Sequence, residues 1–212
     1  MNFEDFWYIV APSEQLTPKA VISRTVLNEW LAIFRDVEGN PVALQDRCLH
    51  RNSRLSAGKL QNGEIQCPYH GWKYNAEGNV VDVPAEGPKK CPQVARKAIR
   101  YATREKDGYV YVRLADTAPE VAPFAMPYYK AAGWETVRVI NRFQNSVTNC
   151  AENFIDIPHT ASVHPGIFRT AQQQQLQMKV DRYEGTVTAT YSQETTNLGW
   201  FGWFLNPKKR EI

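Results

Sequence analysis

The most constraining stretch of this sequence is Cys48-Leu49-His50, followed after sixteen intervening residues by Cys67-Pro68-Tyr69-His70. Two Cys-plus-His pairs at that separation read as two loops closing on one metal centre. Four mixed sulfur and nitrogen ligands admit two kinds of centre. One is a structural zinc ion, because Cys and His at short spacing suit tetrahedral zinc. The other is a two-iron, two-sulfide cluster in which imidazoles replace two thiolates on one iron. The first pair is Cys-x-His, tighter than the roughly two to four intervening residues usual in zinc fingers. Pro68 stiffens the second loop, and Gly71 and Gly58 read as places where backbone passes close to a bulky inorganic core.

The wider pattern carries a resemblance. Cys48-x-His50-Arg51 with Leu55 and Gly58, followed by Cys67-Pro68-Tyr69-His70-Gly71-Trp72, resembles the Rieske signature. The ligand types set the chemistry such a site would have. Two ferric ions, two sulfides and two thiolates carry no net charge, whereas four thiolates would leave a dianion, so the mixed cluster accepts an electron more readily. The outer nitrogens of His50 and His70 can stay protonated, donate hydrogen bonds and lose protons in step with redox change. A one-electron relay follows from the ligands.

A chain of 212 residues can hold one large or two modest domains. Its net charge of +3, with Lys and Arg scattered apart from Lys208-Lys209-Arg210, gives no footprint for nucleic acid. The acidic start, Met1-Asn2-Phe3-Glu4-Asp5, does not read as a signal peptide. No apolar run approaches membrane-spanning length, so no membrane partner is expected. With two of the four Cys claimed by the motif, Cys91 and Cys150 are expected to be free thiols in a reducing cytoplasm. Of four His, two lie in the first motif and the others lie close together at His159 and His164.

Short strands are expected at Trp7 to Ala11, Val21 to Leu27, Trp30 to Arg35, Pro41 to Leu44, Glu64 to Gln66, Trp72 to Tyr74 and Val80 to Val83. A further hairpin joins Ile99 to Arg104 and Tyr109 to Leu114 across Lys106-Asp107-Gly108. This predicts an antiparallel β domain over residues 1–118, with the metal centre at the tip of two hairpin-like loops. A Pro-rich linker over 119–133 leads to a second, α+β part over 134–212. That part opens with a β-branched strand at Thr136 to Asn141 and closes with a strand pair, Leu176 to Tyr183 and Thr186 to Gln193. Between them Asn149, Glu152, Asp156 and His159 fall on one face of a predicted helix. On an unbroken helix His159 and His164 would point about 140° apart. They can share a metal only if the backbone bends, which Pro158 and Pro165 favour.

Glu152-x3-Asp156-x2-His159-x4-His164, behind a Rieske motif, resembles the mononuclear-iron motif of the Rieske non-haem iron oxygenases. The resemblance implies an α subunit with an N-terminal Rieske domain and a C-terminal helix-grip catalytic domain, truncated in this chain. It implies that His159 and His164 bind Fe(II) with one carboxylate, leaving positions open for O2 beside a small organic substrate. It makes Asp156 a carboxylate bridge from His159 to a Rieske His of a neighbouring subunit, in a homotrimer fed by a reductase or ferredoxin. Asn149 and Glu152 are candidate supports. The family's third ligand is a distant downstream Asp. Asp181, Glu184, Glu194 and Glu211 do not match its offset, so the chain is expected to be part of a longer subunit. The expected reactions are hydroxylation or oxidative demethylation, with dihydroxylation less favoured because the Rieske part starts almost at once. The alternatives are a Rieske-type electron carrier without its own catalytic iron, and a zinc-stabilised binding domain.

Overall fold

The computed structural model describes residues 2–87, 93–115, 122–163, 177–183 and 186–192. The chain divides into two compact units, Met1–Thr136 and Val137–Ile212.

The described residues of the first unit form eleven antiparallel strands: β1 (Tyr8–Pro12), β2 (Ile22–Val26), β3 (Glu29–Arg35), β4 (Pro41–Gln45), β5 (Lys59–Gln61), β6 (Glu64–Gln66), β7 (Lys73–Tyr74), β8 (Asn79–Asp82), β9 (Gln93–Lys97), β10 (Arg100–Lys106) and β11 (Tyr109–Arg113). They form a six-stranded sheet in the order β1-β11-β10-β4-β3-β2 and a five-stranded sheet in the order β5-β6-β7-β8-β9. Each strand expected in this part is present within a residue or two, and the α-helical signal absent from the sequence is absent from the described residues of this unit. Strands β5 and β9 had not been foreseen; both are short edges of the second sheet, with little apolar alternation to mark them.

Strand β3 shows how the sheets share a core. Leu31, Ala32, Ile33 and Phe34 are all buried, so the usual in-out alternation disappears. Leu31 and Ile33 pack with Val10, Leu16, Val110 and Val112. The intervening Ala32 and Phe34 face the other way, into a cluster with Leu55, Ile65, Tyr74 and both motif cysteines. Successive side chains on a strand point to opposite faces, and here both faces are covered. Burying a side chain such as Phe34 contributes about 1.5–3 kcal/mol.

The two motif loops have different parentage. The second joins β6 to β7 as a hairpin, with Ile65 opposite Tyr74. The first leaves β4 in one sheet and arrives at β5 in the other, so it is a crossover and not the second hairpin expected. Gly58, at its far end, has a reason within the protein. A Cβ there would lie 1.9 Å from the Gln66 carbonyl oxygen, so glycine is needed for strand-to-loop approach. Gly71 sits at φ +76°, the left-handed region that glycine occupies without strain.

The segment leading out of this unit is tied to the β10–β11 hairpin. The Lys106 ammonium donates to the Pro123 carbonyl at 2.9 Å, and the Met126 amide donates to the Asp107 carboxylate at 2.9 Å.

The second unit contains α1 (Val147–Ile155), α2 (His159–Val163), β12 (Gln177–Tyr183) and β13 (Thr186–Ser192). The strand pair is in register from Gln177 opposite Ser192 to Tyr183 opposite Thr186, as the sequence suggested. Thr136–Asn141 is not a strand. Its β-branched residues supply propensity, but no strand among the described residues pairs with it. The expected helical face is also interrupted. Ser146 caps α1 by accepting the Asn149 amide at 3.1 Å, and the helix stops at Asp156, which has φ −75° and ψ 74°. The residue before a proline avoids helical geometry, so Pro158 ends α1 before His159 can join its face. His159 instead opens α2. No helix among the described residues is long and apolar enough to cross a membrane.

Candidate metal centre

The four motif residues of the first unit are arranged as two pairs. Cys48 and Cys67 are inside, 1% and 2% exposed, within the core that contains Leu55, Ile65 and Tyr74. His50 and His70 lie outside them, with ring centroids 4.4 Å apart. Each loop closes on itself to present its pair. In the first, the Cys48 amide donates to the Ser53 carbonyl and the Asn52 amide to the Cys48 carbonyl, both at 2.8 Å. In the second, the Cys67 amide donates to the Trp72 carbonyl at 2.8 Å, and the Gly71 amide to the Cys67 carbonyl at 3.1 Å.

Tyr74 joins the two loops. Its buried hydroxyl accepts the Leu49 amide at 2.9 Å and lies 3.2 Å from Cys48 Sγ. Because Leu49 already donates to the oxygen, the phenolic proton is available for the sulfur. Burial, and then the sulfur's bond, push the tyrosine pKa well above its ordinary value, so it stays a donor.

The imidazoles are held by stacking. His50 lies parallel to Trp72, with 5.1 Å between centroids and 5° between planes. The Arg96 guanidinium covers the indole at 5.0 Å and is itself paired with Glu86 at 3.0 Å. Desolvation, with His70, Arg51 and Arg96 as positive neighbours, lowers the His50 pKa and favours the neutral ring that ligates metals.

Burial pushes the Cys48 thiol up, and the neighbouring Cys67 adds to that rise. The Cys48 thiol is therefore disfavoured as a thiolate unless a cation compensates it, and a donor set containing it suits metal ions. It suits two better than one. A tetrahedral zinc ion would require three or four of these side chains to converge, and among the described residues no three His, Cys, Asp or Glu do so. A two-iron cluster asks each iron for only two protein ligands, the remaining bonds going to sulfide. Buried thiols behind exposed imidazoles satisfy that demand.

In the second unit, His159 Nδ1 makes a short contact with the Asp156 carbonyl and lies 3.8 Å from the Asp156 carboxylate. Asp156 donates its amide to the Glu152 carbonyl at 2.9 Å, and the Tyr191 hydroxyl donates to the Ile155 carbonyl at 3.2 Å. Strand β13 therefore braces the end of α1 where the acid and imidazole meet. The Asn149 side chain donates to Asn145 at 2.9 Å, and so supports the cap at the start of α1. Asp181 pairs with Lys179 at 3.0 Å on β12. His164, Glu184, Glu194, Glu211 and Cys91 lie outside the described residues. Cys150 is a free thiol.

Sequence reasoning had passed over Tyr74 and Asp46. An aromatic on a short strand reads as core, and nothing in the sequence aims its hydroxyl at Cys48. Asp46, two residues before Cys48, reads as loop polarity; it is fully buried.

Comparison with known proteins agrees with the geometry. Residues 6–98 match the Rieske [2Fe-2S] domain. The iron-sulfur subunit of the toluene-4-sulfonate monooxygenase system of Comamonas testosteroni is 27% identical over 214 aligned positions, covering 97% of this chain and 57% of that protein. The methylxanthine N1-demethylase of Pseudomonas putida is 30% identical over 196, covering 88% of this chain and 54% of that protein. Among solved structures, dicamba monooxygenase bound to dicamba superimposes with a TM-score of 0.76 at 27% identity, over 88% of this chain and 55% of that one. This chain therefore carries a Rieske [2Fe-2S] domain and is homologous, over most of its length, to the oxygenase components of Rieske oxygenases. It spans a little over half the length of these relatives.

Proposed function

We propose that this chain belongs to the oxygenase component of a Rieske-type mono-oxygenase or demethylase acting on a small organic substrate. Cys48 and Cys67 hold one iron of the [2Fe–2S] cluster, and His50 and His70 hold the other. His159 and His164, with one carboxylate, hold a mononuclear Fe(II). When bound, the cluster supplies one-electron storage and the mononuclear iron supplies O2 activation. The observation that carries the reading is the pairing of two adjacent buried thiols with two adjacent exposed imidazoles.

The protein's own groups have separable tasks. Tyr74 directs a hydrogen bond at the Cys48 sulfur and ties Leu49 to β7. His50 and His70 present polar ring edges at the surface, where an electron donor, a reductase or ferredoxin, can approach. Asp156 orients His159 through its backbone carbonyl and offers its carboxylate as the link to a Rieske His of a neighbouring subunit in a homotrimer.

A donor bond to a ligating sulfur stabilises the more negative, reduced state. Tyr74→Phe should lower the cluster's midpoint potential by about 60 mV, the one-electron equivalent of about 1.4 kcal/mol. Redox titration followed by EPR reads this, and an unchanged or higher potential contradicts it.

Asp156→Asn tests the oxygenase reading itself. In the complete gene product it should leave both metals bound and slow electron passage from cluster to mononuclear iron at least tenfold. Single-turnover oxidation of the cluster at the normal rate would refute the bridge. The second reading, an electron carrier without a catalytic iron, draws on the lack of an acid at the third ligand's expected offset in this sequence. Metal analysis separates them: three irons per chain for the oxygenase, two for the carrier.

A further inference from the structure

The first ligand loop has a clasp at its base. Asp46 is fully buried and lies where β4 gives way to the loop. Its carboxylate accepts the Ser56 amide at 2.7 Å, the Ser56 hydroxyl at 2.6 Å, the Arg54 guanidinium at 3.1 Å and the Ser23 hydroxyl at 3.4 Å. Ser56 and Arg54 belong to the loop's exit, so one carboxylate closes a ten-residue span that carries both Cys48 and His50. The same residue is fixed to the six-stranded sheet through its amide, which donates to the Trp30 carbonyl at 2.7 Å. Arg54 is held in turn by the Trp30 ring, 3.6 Å beneath it.

The clasp matters because the two ligand loops start from different sheets. The second is a hairpin of the five-stranded sheet and is braced on both sides by its own strands. The first is a crossover with no strand partner between Gln45 and Lys59. Its tip meets the second loop through Tyr74 and the stack of His50 on Trp72. Its base is held by the Asp46 network, by Leu55 buried in the core beside Phe34 and Ile65, and by the Gly58–Gln66 contact. A buried carboxylate with four donors is satisfied and rigid, and an amide in its place would leave at least one donor without an acceptor.

We propose that Asp46 is a positioning residue for the iron–sulfur centre. It acts through Ser56 and Arg54 to fix the Cys48–His50 pair relative to Cys67 and His70, and the electronic properties of the centre depend on it. This rests on the Rieske reading above.

The test compares purified holoprotein of wild type, Asp46→Asn, Ser56→Ala and Ser56→Thr. Reduced-state EPR, midpoint potential and the rate of iron loss to a chelator are measured beside thermal unfolding. Asp46→Asn should shift or broaden the EPR spectrum, move the potential and speed iron loss at least tenfold. Ser56→Ala should move all three in the same direction by less, and Ser56→Thr, which keeps the amide and hydroxyl, should restore them. Wild-type EPR, potential and iron loss in Asp46→Asn would overturn the proposal, whatever the change in unfolding temperature. Should Asp46→Asn fail to fold, Ser56→Ala indistinguishable from wild type overturns it. Wild-type protein with no cluster signal would instead defeat the Rieske reading, a separate failure.

Discussion

Cys67→Ser should yield protein with less than a tenth of the wild-type iron and no visible thiolate-to-iron absorption. The proposed ligand is 2% exposed and sits among Leu55, Ile65 and Tyr74, so no water can replace the sulfur without opening the core. A serine hydroxyl there ionises far less readily than a thiol, and a buried, unpartnered hydroxyl costs about 1–3 kcal/mol. The loss should also reach the fold. Metal bound only in the native state adds its binding free energy to stability, so the variant should unfold at lower denaturant concentration than the loaded parent. Iron analysis and an absorption spectrum check the first part, and a urea titration checks the second. Iron retained at the wild-type level would remove Cys67 from the ligand set.

Gly58→Ala should be nearly as damaging, for a reason unrelated to metal chemistry. A Cβ at this position meets a backbone carbonyl at 1.9 Å, with the Leu55 carbonyl oxygen 3.0 Å away on another side. Backbone cannot rotate aside as a flexible side chain can, so the end of the first loop must separate from β6. That separation moves Cys48 and His50 away from Cys67 and His70 together. We expect loss of most bound iron and destabilisation of several kcal/mol, at the upper end of single-residue effects. Iron content and thermal unfolding read it. A variant with wild-type iron and stability would show that the two loops move independently.

These two cases mark what could be read ahead of the structure. That Cys48 meets Cys67 and His50 meets His70 was legible, because residue type and spacing together pointed to two loops closing on one place. The hairpins were legible where turn residues such as Lys106-Asp107-Gly108 separate apolar runs. The structural reason for Gly58 was not, because a glycine looks the same whether it spares a carbonyl or an inorganic core. Asp46 was missed because burial of a carboxylate depends on donors distributed over Ser23, Arg54 and Ser56, which no local window contains. Thr136–Asn141 was read as a strand from composition alone, although a strand exists only with a partner. The helix through His159 failed at Pro158, whose effect on its predecessor outweighs the polar periodicity. The expected homology to Rieske oxygenase components held, and so did the mainly antiparallel fold.

The separation of roles proposed for the first unit has a physical logic. Thiols gain from burial, because a buried thiolate is stabilised chiefly by its metal and by directed donors such as Tyr74. Imidazoles gain from exposure, because their outer nitrogens exchange protons and meet partners. The surrounding stack of Arg96, Trp72 and His50 restricts ring rotation without sealing that edge from solvent.

The most direct test is pulsed EPR on the dithionite-reduced protein, combined with iron and acid-labile sulfide analysis. The account predicts two irons and two sulfides in the Rieske domain, with two imidazole nitrogens coupled to the cluster spin and one coupling lost in each of His50→Ala and His70→Ala wherever iron is retained. Tetrahedral zinc in place of iron, or a reduced cluster with no nitrogen coupling, would contradict it.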